Sequence, residues 1–172
     1  LARNLSFREL AADSAEVAAM AARPDVKAQR FAQGATAVGV FRKDELLGYV
    51  WFCRNQYIED EARCVYVLAR PDTSVFDFDL VVSPTARMGL GFGAVWHCAN
   101  QYLSARGVQT SYSRVTRFNL ASARAHQRLG ARRIGTALFV QAGRAELMVA
   151  NLKPYVSASM ARDAKATLLL NS

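Results

Sequence analysis

The chain has 172 residues and a net charge of +8, from 22 Lys and Arg against 14 Asp and Glu. Its 52% hydrophobic and 21% charged residues are typical of a soluble globular domain with a full core, and argue against a disordered or membrane-spanning chain. The positive charge favours an anionic partner, either nucleic acid or a phosphate-rich cofactor. Because the arginines are scattered, charge alone does not indicate nucleic-acid binding.

The N-terminal half predicts two helices among five strands. Residues 4–10 read as a strand, and Asp13-Ser14 precedes an Ala-rich helix that should run to Arg23-Pro24. A second helix over 24–33 should end at Gly34. The remaining strands of this half are expected over 35–41 and 46–53, which form a hairpin, and over 62–68 and 75–82.

The C-terminal half predicts two helices, a strand and a last hairpin. A glycine-bearing loop over 84–93 leads into an amphipathic helix over 92–105, followed by a strand over 108–116. Asn119 should cap a helix that runs to Leu129 and stops at Gly130. The hairpin is expected over 134–141 and 146–150, and a helix is the one element suggested in the tail. The sequence thus predicts a mixed α/β sheet with about four helices in one domain over 1–172, with a core over 5–150 and a tail over 151–172.

Cysteine and histidine usage gives no sign of a disulfide framework or a metal site. The three cysteines, Cys53, Cys64 and Cys98, are widely spaced and include no Cys-x-x-Cys pair. This pattern predicts reduced thiols in the cytoplasm. With only two histidines in the chain, we expect no metal cofactor.

The first chemical motif is a strand, a glycine loop and a helix. The strand ends in Val82-Ser83-Pro84, and glycines follow at 89, 91 and 93. Glycines at a helix entrance let backbone N–H groups converge on a phosphate. A dinucleotide fold is disfavoured because Gly89 lies seven residues past Val82, and a P-loop lacks its Gly-Lys-Ser/Thr. A glycine turn without a ligand is the remaining alternative.

The second motif is Asn119, Ser122, His126 and Gly130 on the helix downstream. A capped amphipathic helix accounts for Asn119 and Gly130 but not for His126. Together, the two motifs resemble the GNAT superfamily of N-acetyltransferases, in which Val-x-Pro precedes an Arg/Gln-x-x-Gly-x-Gly/Ala loop. The family then carries Asn-x-x-Ala/Ser with a Tyr seven residues after the Asn and a Gly eleven after it. The resemblance runs from about residue 5 to residue 150.

This chain departs from the family at two places. From Arg87 the family spacing would put glycines at positions 90 and 92, so we take Gly91-Phe92-Gly93 as the working turn, one residue later. His126 stands where the family usually has a Tyr that protonates the leaving thiolate. An imidazolium can serve as that acid, and the alternative is that His126 only packs or contacts the cofactor.

The resemblance implies an acetyltransferase that uses acetyl-CoA as cosubstrate and acetylates a primary amine by direct attack. Backbone groups of Leu80, Val81 and Val82 would pair with the pantetheine arm and polarise the thioester carbonyl. The pyrophosphate would lie on the loop formed by Arg87, Met88, Gly89, Leu90, Gly91, Phe92 and Gly93.

The downstream helix would complete the cofactor site. Asn119 and Ser122 would contact pantetheine or stabilise the loop. Arg124 and Arg128 share one helical face and would meet the cofactor's phosphates, with a solvated surface role as the equal alternative.

A general base is also needed, because an alkyl ammonium must lose its proton before it attacks. That step costs about 4–5 kcal/mol at neutral pH. Asp77 and Asp79 alternate with apolar neighbours on the central strand and should share one face, with Asp79 our first choice. The acidic run 59–61 is expected to be a solvated loop, with attraction of a cationic substrate as the alternative.

Two other functions stay open at this point. A GNAT-like module could bind acyl-CoA as a sensor without turnover, and a basic domain could bind nucleic acid with strong salt dependence. The acceptor amine, the acyl-chain preference and the pairing of two chains into a homodimer are not indicated by the sequence. No membrane contact is expected.

Overall fold

The computed structural model describes residues 4–87, 91–161 and 164–171 of the chain. The described residues divide into two compact units; the first has one sheet and the second has two. The first unit takes in the described residues up to 54 and between 71 and 114, and the second takes in 55–70 and the described residues from 115 onward.

The first unit is a five-stranded mixed sheet with helices. Its elements, numbered in chain order along the whole chain, are β1 (Leu5–Leu10), α1 (Ala15–Ala19), α2 (Pro24–Ala32), β2 (Thr36–Arg42), β3 (Glu45–Cys53), β6 (Ser74–Val82), α3 (Pro84–Arg87), α4 (Gly91–Ser104) and β7 (Thr110–Ser113). The strand order is β1-β2-β3-β6-β7. All neighbours are antiparallel except β6 and β7, which are parallel.

Local sequence signals explain where several of these elements begin and end. The Ser14 side chain accepts a hydrogen bond from the Val17 N–H at the start of α1, as an N-cap should. Pro24 opens α2, where its missing N–H costs nothing, and Gly34 follows the helix with a φ of 84°. The apolar stripe of α4 packs on the sheet around Val95 and Ala99, both fully buried.

The second unit consists of two three-stranded sheets and one helix. Its elements are β4 (Gln56–Ile58), β5 (Cys64–Leu68), α5 (Leu120–Arg128), β8 (Ala137–Ala142), β9 (Ala145–Ala150), β10 (Val156–Ser159) and β11 (Ala166–Leu170). One sheet has the order β11-β5-β4 and the other β10-β9-β8. The predicted last hairpin is present as β8 and β9, joined through Gly143 at a φ of 58°.

The mixed α/β class is confirmed, and three local predictions were wrong. The segment 84–93 is not a plain loop, since α3 occupies its start and α4 already begins at Gly91. The first helix ends at Ala19, well before Arg23. The tail carries two strands, and β11, whose apolar run suggested a helix, pairs in parallel with β5. Among the described residues, no helix is long and apolar enough to cross a membrane.

Candidate functional site

The far half of β6 has an open edge. β7 pairs with β6 only from Ser74 to Asp77, whereas β6 continues to Val82. In the described part of the chain, no strand pairs with Phe78–Val82 on the side where β7 has ended. Backbone N–H and C=O groups on such an edge can pair with an extended ligand. The side chains of Leu80, Val81 and Val82 are half-buried there.

A β-bulge interrupts β6 within this open stretch. The register against β3 shifts between Tyr49 and Trp51, and Asp79 has a φ of 49°. Positive φ is uncommon for a residue other than glycine, although aspartate tolerates it better than most. The extra residue lets Leu80 pack against the core beneath α4.

The bulge separates the two aspartates that were expected to share a face. Asp79 turns towards α2 and accepts a hydrogen bond from Nη1 of Arg30 at 2.5 Å. Asp77 instead lies opposite Phe52, whose side chain belongs to the core beneath α4. The expectation of a shared face was therefore wrong, because the regular alternation on which it rested is broken at Asp79.

Arg30 is held in an aromatic pocket. Its side chain is 8% exposed, and its guanidinium carbon lies 5.4 Å from the ring centroid of Trp51 and 5.2 Å from that of Phe78. The two rings stack on each other across β3 and β6. Burial, followed by the negative charge of Asp79, raises the pKa of Tyr49 to about 12, and Arg30 partly opposes this rise. Tyr49 therefore belongs to the same electrostatic cluster.

Asp77 lies at the point where β7 stops pairing with β6. The residue is 3% exposed, and its carboxylate accepts hydrogen bonds from the hydroxyls of Ser111 and Ser113, each at 2.5 Å. Both serines lie on β7. The carboxylate thus joins the two strands at the last position of their pairing.

The N-terminus of α4 lies beside the end of β6. A Cβ built on Gly91 would lie 2.8 Å from Cγ1 of Val82 and 2.2 Å from the carbonyl oxygen of Ala86, so the fold itself requires glycine there. A Cβ on Gly93 would meet nothing within 4 Å. The first turn of a helix presents N–H groups without intrahelical partners and the positive end of the dipole, which suits a phosphate. Phe92 is half-buried and packs against the core.

Part of the predicted phosphate loop falls outside the described residues. Met88, Gly89 and Leu90 lie there, as does the side chain of Arg87, so their proposed contacts stay predictions.

The second motif is present on α5 in the second unit. The side-chain oxygen of Asn119 accepts the Ser122 N–H at 3.0 Å, so Asn119 caps the helix as predicted. One turn later, Nδ1 of His126 lies 2.8 Å from the carbonyl oxygen of Ser122. A carbonyl oxygen only accepts, so Nδ1 carries a proton and Nε2 holds the lone pair of the neutral ring.

The charged side chains of this unit have contrasting exposure. Arg124 and Arg128 are exposed, which leaves open both a phosphate contact and a solvated role. In the acidic run, Glu59 is buried, and its carboxylate accepts the Glu61 N–H at 3.4 Å. Simple solvation of that loop is therefore wrong for Glu59.

The GNAT acetyltransferase family profile matches residues 4–131, well over half of the chain. The chain belongs to the GNAT acetyltransferase family. The match includes both motifs, from the β6–α4 junction to the end of α5. A search of curated protein sequences found no significant match.

Solved GNAT structures share the fold at low sequence identity. The aminoglycoside N-acetyltransferase AAC(6')-Iy in complex with CoA has a TM-score of 0.57 and 13% identity, over 80% of this chain and 98% of that chain. A ribosomal-protein-alanine N-acetyltransferase from Brucella melitensis biovar Abortus 2308 has a TM-score of 0.54 and 13% identity, over 81% and 99%. A Trypanosoma brucei acetyltransferase has a TM-score of 0.51 and 14% identity, over 80% and 99%. At these identities the likeness shows the fold alone.

Sequence reasoning missed Arg30 and the bulge in this GNAT chain. Arg30 is one of two cations on a short helix, and its partner lies 49 positions away. The bulge arises from the register between β3 and β6, for which the sequence of β6 alone carries no signal. The positive φ of Asp79 can be read only from the folded backbone.

Proposed function

We propose that the protein transfers an acetyl group from acetyl-CoA to a primary amine by direct attack on the thioester. The observation that supports this most strongly is the junction of the open β6 edge with the N-terminus of α4, where Val82 lies so near Gly91 that a Cβ there would collide with it. An extended chain of amides fits the edge, and a pyrophosphate fits the helix end. A GNAT acetyltransferase needs both features.

Acetyl-CoA would supply the activated acyl group, and the chain's own residues would hold it. Backbone groups between Leu80 and Val82 would pair with the pantetheine amides. The N–H groups of the first turn of α4 would bind the phosphates, because Gly93 leaves room for close approach. Arg87, Asn119, Ser122, Arg124 and Arg128 remain proposed cofactor contacts on the strength of the family resemblance.

Proton transfer is the second requirement of this reaction. The incoming ammonium must lose a proton, and the departing thiolate must gain one. We assign the thiolate step to His126, which can donate from Nε2 only when its ring is cationic, because its Nδ1–H is directed at Ser122. Asp77 and Asp79 are the acidic side chains of β6 and remain candidates for the base.

We also propose that the protein works in a reducing compartment such as the cytoplasm. Cys53, Cys64 and Cys98 are all buried, and none is part of a disulfide bond. A buried thiol is common in proteins that never meet an oxidising environment.

Ligand-dependent stabilisation tests the function. Acetyl-CoA or CoA should raise the melting temperature, while NAD and ATP at the same concentration should not, because only a ligand that binds the folded state stabilises it. Release of free CoA in the presence of a panel of primary amines then tests turnover. Equal stabilisation by NAD would overturn the proposal. Stabilisation by acetyl-CoA without turnover of any amine would favour the sensor alternative.

A further inference from the structure

The backbone of Asp79 departs from the conformation of the other residues of β6. In a strand, residues have negative φ, yet Asp79 has a φ of 49°. An L-residue in the left-handed region is strained unless its surroundings hold it there. The Asp79 side chain is only partly buried, so it is not enclosed by packing on all sides.

One strong contact does hold the side chain. The Asp79 carboxylate is bound to Arg30, and the Arg30 side chain is almost completely enclosed between α2 and the rings of Trp51 and Phe78. α2 itself is fixed at this place, because the ring of Phe31 packs against Trp51 at 4.9 Å between centroids. Arg30 is therefore a rigid anchor, whereas Asp79 is the part of the strand that must be held.

We propose that the Arg30–Asp79 ion pair holds β6 in its bulged form, which makes Arg30 a positioning residue for the strand edge that receives the thioester. The bulge directs Leu80 into the core and sets the direction of the backbone groups that follow, up to Val82. Loss of the pair lets the strand return towards regular pairing with β3, which rotates those groups. The role of Arg30 in catalysis rests on the proposed acetyl transfer, whereas its role in holding the bulge does not.

The same geometry gives Asp79 a role other than the general base. One carboxylate oxygen already accepts a hydrogen bond from Arg30. Asp79 then acts by holding the shape of the backbone. Glycine adopts positive φ without strain, so it preserves that shape better than alanine does. A positioning role therefore predicts that glycine at position 79 is better than alanine, whereas a general-base role predicts the same loss for both substitutions.

The structural test compares backbone chemical shifts at residues 79 and 80 in isotope-labelled protein. Arg30→Met is expected to remove the chemical shifts that mark a left-handed backbone at residue 79. The double variant Arg30→Met/Asp79→Gly is expected to keep them, because glycine adopts positive φ without strain. Arg23→Met is the matched control, because Arg23 also pairs with an aspartate, Asp25, but that pair is exposed. Left-handed shifts that persist in Arg30→Met overturn the proposal, whatever the enzyme does.

If Arg30→Met does not fold, substitutions of Asp79, the more exposed member of the pair, test the same proposal. Asp79→Gly is expected to keep the left-handed shifts, and Asp79→Ala to lose them. If residue 79 shows the same deviation from random-coil shifts in both variants, the proposal is overturned, because its backbone conformation would then not depend on the ion pair.

The functional test measures kcat and KM for acetyl-CoA with a primary amine that the wild type turns over. We expect kcat/KM of Asp79→Gly to exceed that of Asp79→Ala by about tenfold, although neither variant has a carboxylate. An equal loss of about a hundredfold or more in kcat for both variants would mark Asp79 as the base and overturn the proposal. If the wild type acetylates no amine, the proposed function fails, and the chemical shifts still decide the role of Arg30.

Discussion

Gly91 and Gly93 lie in the same helical turn but are glycine for different reasons. A side chain at Gly91 would collide with the Ala86 carbonyl and with Val82, so the fold excludes one. At Gly93 the backbone is helical and a Cβ would meet open space. Glycine in a helix costs about 0.5–1 kcal/mol of stability relative to alanine. At position 93 no neighbouring atom in the described fold requires glycine. A ligand that approaches the backbone closely would explain it.

Gly93→Val should therefore lower the affinity for CoA by tenfold or more, with little change in melting temperature. The valine blocks the approach of phosphate to the first turn of α4, while the space around it accommodates the side chain. Calorimetric titration with CoA and a thermal melt are the two measurements. Asn100→Val, at an exposed position in the same helix, is the control for β-branching. Unchanged affinity would mean that the phosphates bind elsewhere. Gly91→Val should mainly destabilise the protein.

His126→Phe should lower kcat by about a hundredfold and leave CoA affinity nearly intact, if His126 protonates the leaving thiolate. Such a pattern marks a contact made only in the transition state. His126→Tyr should restore part of the rate, since a phenol can also donate a proton. Steady-state kinetics beside CoA titration separates the outcomes. A loss confined to CoA affinity would make His126 a binding residue, and a wild-type kcat in His126→Phe would exclude the acid role.

At the scale of the element, β6 performs two tasks along one strand. Up to Asp77 it is a paired central strand, and beyond Asp77 it is an open edge. Asp77 lies at this fork and joins β6 to β7 through two serine hydroxyls. A buried carboxylate is tolerated there because its oxygens are hydrogen-bonded.

Asp77→Ala should cost about 2–4 kcal/mol of unfolding free energy, because it leaves two serine hydroxyls without their acceptor and opens a small cavity. Asp77→Asn should cost less, since an amide can still accept from one hydroxyl and donate to the other. Urea unfolding measures both, and Asp72→Asn, at an exposed position outside the strands, is the control. If Asp77→Asn keeps wild-type stability but loses most of kcat, Asp77 acts as the base rather than as a link between strands.

Elements with strong local signals were predicted well, and those fixed by distant contacts were not. The cap at Asn119 and the stop at Gly34 are encoded within a few residues, and both are observed. The first helix starts just after the predicted Asp13-Ser14 pair, with Ser14 as its cap. β11 was missed because a short apolar run fits a helix or a strand equally, and only its pairing with β5 decides. The same contrast holds in the candidate site. The glycine motif could be predicted from local sequence, whereas the role of Arg30 could not, because it depends on a distant contact with Asp79.

At the scale of the whole molecule, the family match covers only part of the chain. The GNAT profile ends at residue 131, so β8 to β11 lie beyond it. Shared family chemistry is therefore expected to reside in residues 4–131, which include every site residue proposed above. The strands beyond residue 131 are where this chain can differ from other family members.

Stability of the whole molecule should fall at alkaline pH partly because of Tyr102. This tyrosine is 6% exposed, and its hydroxyl donates to Oε1 of Glu9 at 2.7 Å. Burial, then the hydrogen bond to Glu9, raises its pKa to about 12, whereas an unfolded tyrosine titrates near pH 10. The fold thus favours the neutral phenol. Its contribution to stability is complete below about pH 10 and is lost as the pH rises from about 10 through 12.

Tyr102→Phe should therefore lower the unfolding free energy by about 1 kcal/mol at pH 8, through loss of the Glu9 hydrogen bond. It should also make the decline in stability above pH 10 less steep, because the substituted ring has no proton to lose. Urea unfolding at pH 8, 10 and 11 measures both effects, with Tyr155→Phe as the control for removal of an exposed phenol. An unchanged slope above pH 10 would show that Tyr102 ionises no differently in the folded and unfolded protein, and the alkaline loss would then arise from other groups.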